Sequence, residues 1–448
     1  MENNKSFFRN VCALAIPVTL QSMLQSSFSI VDQIMIGQLG SVSVAGVGLA
    51  GKFASIHSVI VAAVGAVAGI MISQYLGQKN RQEVRRSFYT NLLLAVGIAG
   101  LFTALCVLFP GQVMGLYTKD AATRQEAAAY LLIIAGTYLP LAGATLLSTL
   151  LRCMEKPKLP LYASLASAGV NTVLNYIFIF GKCGFAPMGA RGAAMATVIS
   201  QWVNFLLMLM MLPRKELRSE NPKENTFAAR MNWKQYFAML CPILICELFW
   251  SIGENVYAII YGHMGTEATA AMTLINPIQG LMIGALCGLS QAASILIGKK
   301  LGSGELEDAY ASSKKLIVYG AVGSLVLSLV VMVTRGAYVQ IYQVEQTVKL
   351  LTQQILLAYA VVAPFKVLNM ILGGGILRSG GKTKYAMFID IMGTWGFGVP
   401  LGLASAFLWN LPIPWVYFLL SLEETLRFAG SMVVFRRKKW MNQLEAAE

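Results

Sequence analysis

Long, nearly uninterrupted apolar stretches separated by short polar connections run the length of the chain. A helix needs about 20 mainly apolar residues to span a bilayer. Twelve stretches qualify: 11–36, 45–76, 87–109, 127–151, 159–180, 189–212, 235–261, 269–298, 316–334, 351–377, 385–408 and 413–435. The pattern predicts an all-α integral membrane protein with twelve transmembrane helices. Several stretches exceed the minimum, which implies tilt or bending. Pro140 in the fourth and Pro364 in the tenth each remove a backbone hydrogen bond and predict kinks.

Composition sharpens this picture. Hydrophobic residues make up 56% of the 448 and charged residues 12%, against about 25% charged in soluble domains. Such a chain has no way to build a soluble surface, and the same figures exclude disorder. The net charge of +14 would fit nucleic-acid binding only if the basic residues were clustered on one face. Instead they fall in short patches between apolar runs, which is the signature of membrane topology. Of 35 Lys and Arg residues, 26 lie at the termini and in every second connection, and six in the other connections. This split expects both termini in the cytoplasm and an even number of spans. The first helix reads as an uncleaved anchor, because no small-residue cleavage site follows it. Trp233, Trp409, Trp415 and Trp440 read as interfacial anchors. The seven scattered cysteines read as small apolar residues, with neither a disulfide framework nor a metal site.

An internal repeat organises the chain. At an offset of 225, Ala13 meets Ala238, Pro17 meets Pro242, Gly37 meets Gly262, Gly40 meets Gly265, and Gly77 meets Gly302. At an offset of 226, Leu151-Arg152 with Lys156 and Lys158 meets Leu377-Arg378 with Lys382 and Lys384. The offset spans six helices, an even number, so the halves are parallel repeats. The expected organisation is an N-lobe over 1–212 (helices 1–6), a cytoplasmic linker over 213–234, and a C-lobe over 235–448 (helices 7–12). A two-lobed bundle of this kind carries a central substrate cleft and works by rocking one lobe against the other.

Ionisable residues inside spans cost at least about 2.5 kcal/mol and point to function. Asp32 lies five residues before Gly37, about 8 Å below the outer boundary. Gln21, Gln25, Ser29 and Asp32 share a face, and Gln21 and Gln25 are expected to line the substrate path. Asn171 and Asn175 on helix 5 and Thr197 on helix 6 fall at similar depth to Asp32, so the four are expected to form one cation-coupling pocket of oxygen ligands. No tightly bound metal is expected, only a transient sodium ion at Asp32. Asp32 would load a proton outside and release it inside, and a cationic substrate would compete for the same ionised form. The competing reading is that Asp32 only ties helices 1 and 5 together.

On helix 7, Glu247 and Glu254 are two turns apart with Trp250 between them. Two acids and an aromatic ring suit a lipophilic cation, so these three are expected to bind substrate. Lys366 and Asp390 are expected to pair across helices 10 and 11, and Glu423 with Arg427 within helix 12. His57 reads as a satisfied packing residue.

The ordered set Pro17, Gln21, Gln25, Val31-Asp32, Met35, Gly37, Leu39-Gly40 and Ala45 resembles the first-helix signature of MATE (multidrug and toxic compound extrusion) transporters of prokaryotic type. Gln74-x-Leu76-Gly77, the loop from Arg152 to Pro160, Asn171-x-x-x-Asn175, and Gly189-x-x-Gly192-Ala193-Ala194-x-Ala196-Thr197 are similar to that family too. So is the C-terminal run from Gly262 to Ala270. The resemblance covers almost the whole chain and implies twelve helices in two lobes that expel organic cations in exchange for protons or sodium ions. It also implies a coupling role for Asp32 and the helix 5 asparagines, and a substrate role for a helix 7 glutamate. Some relatives carry an aspartate where this chain has Asn175; one carboxylate in place of two weakens a sodium cage and leans the reading toward protons.

The sequence thus expects a secondary-active multidrug antiporter in the cytoplasmic (inner) membrane of a bacterium. It is expected to work as a monomer, with no cofactor and no nucleic-acid partner. Its partners would be a small cationic organic substrate, H+ or Na+, and the lipid bilayer. There is no GxxxxGK[ST] loop for ATP. One alternative is a lipid-linked oligosaccharide flippase of a related superfamily. The other is an integral-membrane enzyme, which two histidines without metal-ligand spacing do not support.

Overall fold

A computed structural model of the chain describes residues 4–39, 41–212, 232–342 and 344–444. The expected linker lies outside the described residues except for its last three. Among the described residues, eleven helices are long and apolar enough to cross a membrane. They are α1 (Asn4–Gly37), α2 (Ser41–Gly77), α3 (Arg81–Leu108), α4 (Ala121–Cys153), α5 (Lys158–Phe180), α6 (Gly189–Met210), α7 (Trp233–His263), α8 (Thr266–Gly302), α9 (Leu306–Gln340), α10 (Gln346–Leu377) and α11 (Thr383–Leu408). The twelfth expected span, α12, consists of two helices placed end to end, Ile413–Ser421 and Glu423–Arg436. They meet at Leu422, whose N–H bonds to the Leu419 carbonyl at 3.2 Å, a local tightening of the turn.

Local chemistry sets the helix ends. Asn80, Asp120 and Asn232 are N-caps whose side chains accept from the backbone N–H of Glu83, Thr123 and Gln235, at 3.1, 2.8 and 3.1 Å. Gly181 ends α5 in the left-handed region, φ +66°, which glycine tolerates best. Pro140 coincides with an irregularity, a 3-10 turn over Ala135–Thr137 just upstream, where the proline ring crowds the carbonyl four residues back. Pro364 leaves its helix unbroken. The departure in α10 comes later, as a π-helical stretch over Met370–Leu377 that contains Gly373, Gly374 and Gly375. α11 carries two more π-helical stretches, Thr394–Gly398 and Ala404–Leu408. Pro17, Pro242 and Pro277 also fall inside helices.

Two compact units emerge. One comprises the described residues of Met1–Thr19, Ser73–Lys79 and Asn232–Ala447; the other comprises those of Leu20–Ile72 and Asn80–Met231. They are called here the C-lobe and the N-lobe. This division departs from a cut in the linker, since the start of α1 and the end of α2 belong with the C-lobe. Two hydrophobic clusters hold the C-lobe. One is built around Ile260, Ile275, Ile355 and Val416, and the other around Phe7, Ile297, Leu316 and Ile371. The repeat-matched glycines mark a helix crossing inside this lobe. A Cβ on Gly77 would stand 2.0 Å from the Lys299 carbonyl oxygen, and one on Gly302 would stand 1.9 Å from that of Gln74. Buried Gln74 donates to the carbonyls of Ser379 at 2.7 Å and Asn442 at 3.2 Å, and accepts from the Leu444 N–H at 2.7 Å. Outward-facing Val318, Val322, Leu325, Leu329 and Val333 of α9 are exposed, as lipid contact requires. Trp233, Trp409 and Trp415 are exposed, but Trp440 is fully buried and donates to the Phe435 carbonyl, so it is a core residue and no anchor.

Candidate functional site

In the N-lobe, α1, α5 and α6 bring Asp32, Asn171, Asn175 and Thr197 together. The Asn175 amide donates to Asp32 Oδ1 at 2.6 Å. Asn171, one turn earlier on α5, faces the same carboxylate. With its amide nitrogen turned inward it donates to Asp32 Oδ1 at 2.9 Å and Oδ2 at 3.1 Å. With the oxygen turned inward it accepts from the Asn175 amide at 3.2 Å and meets Asp32 as a second acceptor unless Asp32 is protonated. The orientation of this amide and the charge on Asp32 are therefore linked. The other end of the Asn171 amide lies 3.3 Å from Ser200 Oγ and 3.5 Å from Thr197 Oγ1. Asn175 Oδ1 is buried and accepts no hydrogen bond from the described residues. Gln21 and Gln25 part company. Gln25 is exposed. Gln21 is buried, donating to Ser164 Oγ at 2.7 Å and accepting from Arg152 Nη2 at 2.9 Å. Ser29's side chain lies outside what is described.

The C-lobe contains an open-mouthed cavity of about 310 Å³ bordered by α7, α8, α10 and α12. Its charged lining is Glu254, Glu423, Glu424 and Lys366, with Tyr257 and Tyr417 among its aromatic walls. Tyr257 donates to Glu423 Oε2 at 2.6 Å, and Asn369 donates to Glu424 Oε2 at 2.8 Å. Gln279 donates to the Tyr417 hydroxyl at 2.8 Å. Here the expected helix 7 trio divides. Glu254 borders the cavity, Glu247 sits 3.5 Å from Arg378, and Trp250 is 47% exposed. Two turns place Glu247 about 10 Å along the axis from Glu254, so a shared face still meets different neighbours.

The expected Lys366–Asp390 pair is corrected. Asp390 is held by Arg427, whose Nε lies at 3.1 Å, and by Arg378 at 3.6 Å, while Lys366 faces the cavity. Guanidinium groups reach two carboxylates at once, which a lysine does less well. Arg427 also approaches Glu423 at 3.9 Å and, closer, Glu424 at 3.5 Å. Arg378 joined the cytoplasmic set in the charge pattern, yet its side chain is 16% exposed.

The repeat explains why. Cys246 Sγ donates to Asp390 Oδ2 at 3.0 Å and accepts from Arg378 Nη2 at 3.3 Å. At the repeat offsets, Gln21, Ser164 and Arg152 occupy these same three positions and bond in the same order. Each lobe thus has an arginine clamp across three helices, with Arg152 bonded to a neutral amide in the N-lobe and Arg378 set beside carboxylates in the C-lobe. Cys246 is a clamp member, not apolar filler. His57 is also corrected. It packs as expected, fully buried against Tyr138 and Phe102 with ring centroids at 4.5 and 5.3 Å, but among the described residues neither ring nitrogen has a hydrogen-bond partner.

A duplicated set of membrane-length helices, with Asp32 part-buried in one lobe and Glu423 and Glu424 buried in the other, is the architecture of a multi-pass membrane protein. The comparisons with known proteins narrow this. The MatE family profile matches residues 17–177 and 242–404, and the chain belongs to that family, the MATE transporters. It is 25% identical over 456 residues to the multidrug resistance protein MdtK of Yersinia enterocolitica, covering 98% of this chain and 96% of the relative. It is 23% identical to the probable multidrug resistance protein NorM of Thermotoga maritima, covering 96% and 93%. In fold it is similar to the Vibrio cholerae MATE transporter VcmN in the bent form, with a TM-score of 0.87 and 17% identity over 98% and 99% of the two chains.

Proposed function

We propose that the chain is a secondary-active multidrug efflux antiporter that exports cationic amphipathic compounds by alternating access of its two lobes, in exchange for an inward proton or sodium ion. The relatives named for multidrug resistance support the cargo. The observation that carries the reading is Asp32, a carboxylate in a membrane helix bonded to Asn175 and faced by Asn171. One carboxylate among neutral amides and hydroxyls suits a proton better than a hard metal cation, which prefers more charged oxygen ligands. The Asn171 amide can present either its nitrogen or its oxygen to Asp32, so a turn of this side chain can accompany loading and release of the proton. Each charge moving inward supplies about 2.3 kcal/mol per 100 mV, roughly a 50-fold gradient. The biased basic residues favour a cytoplasmic membrane with both termini inside, and the clamps let each lobe move as a monomeric chain's rigid half.

The test is efflux of a fluorescent lipophilic cation from proteoliposomes, under a pH gradient and a sodium gradient imposed separately. The reading expects wild-type efflux under the pH gradient and its loss in Asp32→Asn. Efflux driven only by sodium would move the assignment to that ion. Gradient-independent leak, or movement of a labelled lipid-linked sugar instead of the cation, would overturn it.

A further inference from the structure

We propose that Lys366 sets the charge of the ligand that the C-lobe cavity admits, biasing it toward organic monocations and against dications. The inference rests on the reading that organic cations are the cargo.

Three observations carry it. First, the cavity's volume of about 310 Å³ falls at the lower end of the range for small-molecule sites. Tyr257 and Tyr417 give it faces that attract cations. Second, among the described residues Lys366 is the one basic residue lining it, and three carboxylates line it as well. Glu254 is exposed to the cavity, whereas Glu423 and Glu424 are buried and already engaged by Tyr257 and Asn369. Third, the remaining cations of the lobe's network are committed elsewhere. Arg378 and Arg427 flank Asp390, with Glu247 at one end of the chain and the Glu423–Glu424 pair at the other. Glu247 and Asp390 offset the two arginines, which leaves Lys366 as the cation set against Glu254, Glu423 and Glu424 in the field that an entering ligand meets.

A lysine here does two things. Its ammonium removes one unit of negative charge from the cavity, so a first ligand charge meets a weaker field and a second meets a resident cation. Its flexible stem also keeps that cation mobile, unlike a guanidinium locked onto two carboxylates. Dications are then less favoured than they would be facing the three carboxylates alone, a device that discriminates without adding any contact to the preferred ligand.

The test is isothermal titration calorimetry on the purified full-length protein with two probes of one scaffold, hexyltrimethylammonium and the bis-quaternary hexamethonium. The quantity read is the ratio of their dissociation constants. Wild type is expected to bind the monocation, and its ratio of the two constants is the reference. Lys366→Met and Lys366→Gln are expected to move the ratio toward the dication by at least about tenfold, corresponding to about 1.4 kcal/mol, and Lys366→Arg to leave it within about threefold of wild type. If the neutral variants weaken both probes equally, or leave the ratio unmoved while wild type still binds the monocation, Lys366 is structural and this inference fails alone. If wild type binds neither probe, the cargo reading fails with it.

Discussion

Asparagine at position 390 should unsettle the C-lobe more than any comparable change in the N-lobe. Asp390 is 22% exposed at its side chain and lies between Arg427 and Arg378, which are 12% and 16% exposed. Removing one partner of a buried ion pair costs about 3–5 kcal/mol, because a charge is left uncompensated. Both arginines keep a second partner, Glu424 at 3.5 Å and Glu247 at 3.5 Å, so the cost should fall at the lower end, about 3 kcal/mol. For a unit of about 240 residues, about 1 kcal/mol moves Tm by roughly 2–4 °C, so Asp390→Asn should lower it by roughly 6–12 °C. Thermal unfolding in detergent, followed by size-exclusion chromatography of heated samples, measures this. Restoring charge balance with Arg427→Met should make the double variant less damaging than the sum of the singles, by at least about 1 kcal/mol. Ser164→Ala, which removes an uncharged member at the matching place in the N-lobe clamp, should cost only about 1 kcal/mol. An Asp390→Asn protein melting within about 2 °C of wild type, or strict additivity in the cycle, would refute the clamp as a source of C-lobe stability.

Other expectations follow from single contacts. Gly302→Ala puts a Cβ 1.9 Å from the Gln74 carbonyl oxygen. It should push α2 and α8 apart and lower Tm by several degrees, whereas the same change at open Gly304 should be limited to backbone strain at its positive φ. His57→Phe removes two buried, unpartnered ring nitrogens while keeping an aromatic ring against Tyr138 and Phe102. It should stabilise the N-lobe by about 1–3 kcal/mol, the usual cost of an unsatisfied buried polar group, which a raised melting temperature would register.

The sequence carries the helices well because membrane spans leave a long one-dimensional signal, and charge alternation checks their number. It carries the N-lobe cluster because Asp32, Asn171, Asn175 and Thr197 have depths countable from nearby glycines. The C-lobe was harder to read. Glu247 and Glu254 share a helical face, but a face does not reveal which neighbour stands opposite at each turn. Lys366 and Asp390 make a reasonable pair by charge, yet Arg378, counted with a cytoplasmic loop, turns inward at the end of a π-helical stretch and takes Asp390 instead. One signal was within reach: Arg378 is the repeat partner of Arg152, and extending the two offsets to Cys246 and Asp390 would have raised the clamp as a candidate. The break at Leu422 leaves no mark in hydropathy, since an adjacent pair of glutamates is too short to interrupt an apolar run.

The central claim is that a large cation and a proton exchange at the charge carried by Asp32. Adding tetraphenylphosphonium to purified protein in weak buffer, with a pH-sensitive dye present, tests it most directly. Wild type should release close to one proton per ligand bound, and Asp32→Asn should release close to none while remaining folded. Equal proton release from both proteins would contradict the account.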